Sequence, residues 1–238
     1  MVFLRGAMQT VKEYLFPVFC LSCEREGAWI CDDCFAMIDI TSQLFCPLCH
    51  EKTDSGEVCV SCTKKQLPSF LTHHVASTVY KESGHIGKSI HTLKYDFADD
   101  IAIVFEKMIH QWVKKYRQDL PQVDSIIPVP LHKKRYAERG FNQAALLARM
   151  LAKETEIPMY EHILIRTKNT PHQARLDREG RLQNVIKAFR VVAPKKMQGK
   201  RVLLVDDVYT TGATMQTCAE ILLKEGATEV YGWTLARG

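Results

Sequence analysis

Long apolar runs are what this 238-residue chain lacks most plainly. The longest near the start, LFPVFCL, is interrupted by Pro17 and is far too short to cross a bilayer, so no membrane span is expected. Arg5 is followed by mixed residues including Gln9, Lys12 and Glu13. No unbroken apolar segment and no small-residue cleavage signal follows, so a cytoplasmic protein is expected. The opening residues do carry Phe3, Leu4, Met8, Val11 and Leu15 at near-helical spacing. They read as a short amphipathic helix lying on the protein body or on a membrane surface. A Pro- or Ser-rich linker, internal repeats and low-complexity stretches are also missing, which leaves one or two compact domains. Neither a G-x-x-x-x-G-K-[ST] loop nor a G-x-G-x-x-G turn occurs, which speaks against a Walker-type site and a dinucleotide fold. Charge of one sign is not in large excess. The net charge of +5 permits an anionic partner without demanding one.

What is present in excess is cysteine, in one region. Cys20, Cys23, Cys31, Cys34, Cys46, Cys49, Cys59 and Cys62 form four Cys-x-x-Cys pairs, and Cys218 stands apart. Two thiolates three positions apart sit on a tight turn and reach one ion, so two such knuckles complete a four-sulfur zinc site. Two zinc ions are expected. Iron–sulfur ligation is the alternative, and a thioredoxin-like redox role fits four repeated pairs poorly. Nothing suggests secretion, so a disulfide framework is disfavoured. Gaps of 7, 11 and 9 residues between successive pairs favour sequential sites, although crossed pairing fits the spacing too. His50 adjoins a knuckle but is not needed once four sulfurs bind. Cys218 lies in a helical pattern and reads as a small apolar residue. A segment of this size buries too little apolar surface to fold alone, so metal would supply the folding energy. A docking surface for protein or nucleic acid is the other reading.

Past Cys62 the composition changes, with Pro68 in TKKQLPSF marking a boundary. Strand and helix patterns then alternate. Strands are expected at residues 71–81, in SIIPVP, in EIPMYEHILIRT, in RVLLVDDV and in EVYGWTLARG. Helices are expected in two parts over residues 83–116, in FNQAALLARMLAKETE and in MQTCAEILLKEGA. HKKRYAERGFNQ reads as a basic loop. Strands separated by helices imply a parallel sheet covered on both faces.

The stretch VLLVDDVYTTGAT, residues 202–214, joins features that suit opposite ligands. Acids repel phosphate, whereas a Thr/Gly turn before a helix attracts it through backbone N–H groups and the helix dipole. One ligand satisfies both. Asp206 and Asp207, at the strand's end, would accept from the vicinal hydroxyls of a ribose. Thr210, Thr211, Gly212, Ala213 and Thr214 would cradle its 5-phosphate. A Walker-B-like magnesium ligand and a helix cap are the competing readings of the acids.

This stretch closely resembles the phosphoribosyl pyrophosphate (PRPP) motif of type I phosphoribosyltransferases. SIIPVPLHKKRYAERGFNQAALLA and TPHQARLDREGRLQNVIKAF resemble two further signatures of the ComF family. The resemblance covers essentially the whole chain from Cys20 onward. It implies an α/β fold, a type I phosphoribosyltransferase-like parallel sheet flanked by helices, preceded by a double zinc-ribbon-like module. Residues 1–66 would form the helix and zinc module and residues 67–238 the phosphoribosyltransferase-like domain. It also implies a role in natural competence, the uptake of single-stranded DNA. Lys133, Lys134, Arg135 and Arg139 would face pyrophosphate, with Mg²⁺, or a nucleic-acid backbone. Arg175 and Arg178, with Arg181, would belong to a loop that closes over the site. Two functions follow. One is a competence protein that binds PRPP or ribose-phosphate and single-stranded DNA. The other is an active transferase that displaces pyrophosphate from PRPP with an unknown nitrogen acceptor. A helicase of the uptake machinery is the partner the family resemblance implies.

Overall fold

The structure, a computed structural model, describes residues 17–95, 99–168 and 188–238. The expected N-terminal helix, Arg175, Arg178 and Arg181 lie outside the described residues.

The centre is a five-stranded sheet. Its strands are β1 (Gln43–Leu44), β2 (His73–Ala76), β3 (Ser125–Pro128), β6 (Arg201–Tyr209) and β7 (Glu229–Arg237), in the order β1-β2-β7-β6-β3. All pairs are parallel except β1 with β2. The edge strand β1 comes from the cysteine-rich segment, with Leu44 opposite Val75. Alternation along the pleat divides the apolar residues between two layers. Leu203 and Val205 face one core, with Val75, Ile126, Trp233 and the inner sides of α3 (His85–Tyr95), α4 (Ala102–Tyr116) and α6 (Gln143–Thr155). Val202 and Leu204 face the other, with Ile127, Val230 and α7 (Ala213–Lys224). Burial on both faces is why β6 reads as an unbroken apolar run. Among the described residues no helix is long and apolar enough to cross a membrane.

Three expectations change. The strand expected over 71–81 narrows to β2, whose four residues are all buried. The strand expected in EIPMYEHILIRT splits. Met159 makes an isolated bridge to Ile126, while β4 (Leu164–Arg166) leaves the sheet and pairs antiparallel with β5 (Phe189–Val191). Pro158 accepts from the Ile126 amide but has no N–H to extend the ladder. The basic loop is a helix, α5 (Lys133–Arg139). The His132 ring caps it by accepting from the Lys134 amide, and Gly140 ends it at φ +77°. Two turns without a buried residue leave no hydrophobic period to read. The cysteine segment adds two short helices, α1 (Asp32–Ala36) and α2 (Val60–Lys64), each starting just after a cysteine.

Candidate functional site

The β3–β6 ladder ends where Pro128 lies opposite Val205, with a last bond from the Val129 amide to the Val205 carbonyl. The β6–β7 ladder runs on to Tyr209 opposite Arg237. Asp206 and Asp207 therefore stand inside β6 rather than beyond it, on the stretch whose β3 flank has opened. Each carboxylate accepts from the next backbone N–H, Asp206 from Asp207 at 2.9 Å and Asp207 from Val208 at 2.7 Å. Lys94, at the end of α3, is 2.6 Å from the second oxygen of Asp207. Burial and the charge of Asp207 push the Asp206 carboxyl up to about 7, with Lys94 and Arg166 pulling the other way. Cys218 is fully buried beside this group, and burial pushes its thiol up.

The turn after β6 leads directly into α7. Thr210, Thr211 and Ala213 are exposed, Thr214 is half-buried and Gly212 is buried. Gly212 is at φ +73°, and a Cβ there would collide with the Tyr209 hydroxyl. Both the dihedral and the contact require glycine. The first-turn amides of α7 have no partners within the helix and point into the turn, which makes it a natural anion seat.

Of the four cations on α5, Lys133 and Lys134 are exposed, while Arg135 and Arg139 are half-buried one turn apart. Arg139 donates to Gln143 at 3.1 Å. His132, just before α5, bridges to Arg166 of β4. Burial lowers the guanidinium of Arg166, and the charge of Arg135 lowers it further, while Asp206 draws it up. Asp206, Arg166 and Arg135 are thus electrostatic neighbours. Lys94 is the residue that sequence reasoning missed. It lies 112 positions before Asp206 in an ordinary amphipathic helix, and nothing local distinguishes it.

The cysteines form two groups, Cys20, Cys23, Cys31, Cys34 and Cys46, Cys49, Cys59, Cys62. The pairing is sequential, and crossed pairing is excluded. The sulfurs of each group lie within 4.8 Å of one another, with Cys23 to Cys31 at 3.6 Å and Cys49 to Cys59 at 3.5 Å. Tetrahedral zinc–thiolate bonds of about 2.3 Å put sulfurs roughly 3.8 Å apart. Both groups therefore fit a metal ion, and an all-sulfur donor set suits zinc. His50 is not in either group. The metal would supply structural energy, with no open position for a substrate.

Comparison with known proteins follows this geometry. The chain is 32% identical over 228 residues to DNA utilization protein YhgH of Escherichia coli (strain K12), covering 93% of this chain and 97% of that one. It is 30% identical over 222 residues to competence protein F of Haemophilus influenzae, covering 87% of this chain and 96% of that one. The chain belongs to the ComF family. Competence protein ComFC of Bacillus subtilis is 29% identical over 211 residues, 87% of this chain and 84% of that one. Residues 138–238 match the phosphoribosyl transferase domain family. The family match includes β6, the turn and α7, but begins after Lys94, Lys133, Lys134 and Arg135.

Proposed function

We propose that this ComF-family protein grips a ribose 5-phosphate group, as in PRPP or a nucleotide end, together with single-stranded DNA. The names of its relatives, which speak of competence and DNA utilization, support a role in handling incoming DNA. The observation that carries the reading is the carboxylate pair on the open flank of β6, followed at once by the turn over Gly212 and the α7 N-terminus. Asp206 and Asp207 accept from the sugar hydroxyls, and residues Thr210, Thr211, Gly212, Ala213 and Thr214 hold the phosphate. Arg135 and Arg139 face the pyrophosphate with Mg²⁺. Lys133 and Lys134, both exposed, meet the DNA backbone, where binding is mostly electrostatic.

Calorimetric titration with PRPP and Mg²⁺ tests the first half. The D206N/D207N double variant is expected to bind at least about tenfold more weakly, the loss of roughly one to two charge-assisted hydrogen bonds. Equal affinity in both proteins rejects the grip. Anisotropy of a labelled single-stranded oligonucleotide tests the second half. Reversing Lys133 and Lys134 to glutamate should flatten the dependence of log affinity on log salt by about 1.4, near 0.7 per lost phosphate contact. An unchanged slope removes α5 from the path.

A further inference from the structure

The turn between β6 and α7 is held from outside the sheet, by the second cysteine group. Pro47 lies inside that group's first knuckle, between Cys46 and Cys49. Its carbonyl accepts from the hydroxyl of Tyr209 at 2.8 Å and from the side-chain amide of Gln216 at 3.3 Å. These donors stand at the two ends of the turn, Tyr209 closing β6 and Gln216 in the first turn of α7. We infer that the second four-cysteine knuckle sets the shape of the phosphate turn, through Tyr209 and Gln216 as positioning residues. The inference deepens the proposed sugar-phosphate grip and rests on it for its meaning, but its mechanical part can be measured without any ligand.

Each post is itself fixed. The Tyr209 ring is buried, with centroids 4.0 Å from His74, 5.3 Å from Phe45 and 5.4 Å from His50. Gly212 rests on the same phenol, so the turn takes its height from where that ring lies. Gln216 is anchored from the far side, accepting from the Phe70 amide at 2.8 Å and donating to Ser69 at 3.2 Å. The knuckle's own backbone closes through His50 N to Cys46 O at 3.0 Å and Cys46 N to Glu51 O at 2.8 Å. A second strand joins the contact. Arg237, opposite Tyr209 in the β6–β7 ladder, donates to the His50 carbonyl and lies over the Phe45 ring at 4.7 Å. A carbonyl carries two lone pairs and can serve both donors, and proline contributes no competing N–H. A buried phenol that loses its acceptor pays a desolvation penalty, so a shifted Pro47 forces Tyr209, and Gly212 on it, to move.

The first cysteine group backs a different wall. The Leu21 carbonyl, within its Cys20–Cys23 knuckle, accepts from Lys88 on α3. It serves as an internal control.

The test is hydrogen exchange, by mass spectrometry, on the full zinc-loaded chain. The Y209F/Q216A variant keeps the ring and removes both donors to Pro47. Exchange in the peptide covering residues 210–218, where the Gln216 amide closes the turn on the Gly212 carbonyl at 2.9 Å, is expected to rise about tenfold, with zinc content unchanged and residues 201–205 as protected as before. Affinity for ribose 5-phosphate should fall by a similar factor, consistent with roughly one to two lost hydrogen bonds. Cys49→Ser, with the second metal lost, should raise exchange in the same peptide, whereas Cys23→Ser should not. Unchanged exchange at 210–218 in the double variant overturns the inference, as does an equal rise at 201–205, which would mean a general loss of stability. If the wild type binds no ribose 5-phosphate, the sugar-phosphate reading fails while the exchange result still decides the coupling.

Discussion

Serine in place of Cys46 or Cys62 is expected to lower the thermal midpoint by roughly 6–20 °C and to release one of two metal ions. Both sulfurs are buried, so the substitution cannot be absorbed by solvent. Structural zinc contributes about 10–16 kcal/mol in isolated finger peptides, because the unfolded chain has no preformed site. Here the neighbouring sheet recovers part of that, since β1 pairs with β2 and Phe45 is fully buried against the core. A net loss of roughly 3–5 kcal/mol remains, and at this chain length about 2–4 °C follows each kcal/mol. Differential scanning calorimetry with metal analysis checks it. A variant that lacks one ion yet melts with the wild type would show that the sulfurs are not what holds Phe45–Cys62 in place. The first group should behave differently. Cys20 and Cys34 lie in the core layer that also holds α3 and α4, whereas β1 immediately precedes Cys46 of the second group, so Cys20→Ser should leave the β1–β2 pairing intact.

How much of this was legible beforehand depends on the range over which each feature is encoded. The cysteine pairs are local, since two sulfurs on one turn define a half-site whatever surrounds them. The β6 turn is local too. The apolar run, the adjacent acids and Gly212 fall within a few residues, and the structure keeps that order while moving the acids inside the strand. That shift comes from β7, which extends the ladder to Tyr209, and no feature of VLLVDDVY alone reveals a partner strand's length. Lys94 and Pro47 were not legible as site residues because their roles exist only across the fold. Tyr209 and Pro47 are 162 positions apart. His50, set aside as a bystander, is correctly outside the metal group, yet its carbonyl and ring help carry the contact to Arg237 and Tyr209. The helix α5 was hidden for the opposite reason. Its charges were plain, but with no buried face they gave no periodicity.

Asp206→Asn is expected to stabilise the protein at pH 8 by about 2 kcal/mol and to have no effect at pH 4. Burial and the neighbouring Asp207 push the Asp206 carboxyl from its ordinary 3.8 to about 7. The folded chain therefore holds a proton that the unfolded chain has released, throughout the window between these values. Where the native state binds more protons, stability falls as pH rises. Below about pH 4 both states are protonated and Asp206 costs nothing. Above about pH 7 both are ionised and the full cost of the buried charge is present. A shift of this size corresponds to at most about 4 kcal/mol, and partial exposure to solvent reduces it to roughly half. Asparagine has the same shape without the charge, so the cost disappears. Asp207→Asn should have the opposite sign, destabilising by about 1–3 kcal/mol, because it strips the partner from half-buried Lys94. Urea melts of the two variants across pH 4 to 8 separate them. A flat difference for Asp206→Asn, or the same sign for both, would mean that the two acids are not the unlike pair that Lys94 makes of them. A ligand whose hydroxyls or metal ion favour the ionised carboxylate must also expel the proton. PRPP binding near pH 7 should then release a fraction of a proton, read from calorimetry in buffers of different ionisation enthalpy. The charge that weakens the free protein is the one that the proposed sugar-phosphate ligand would satisfy.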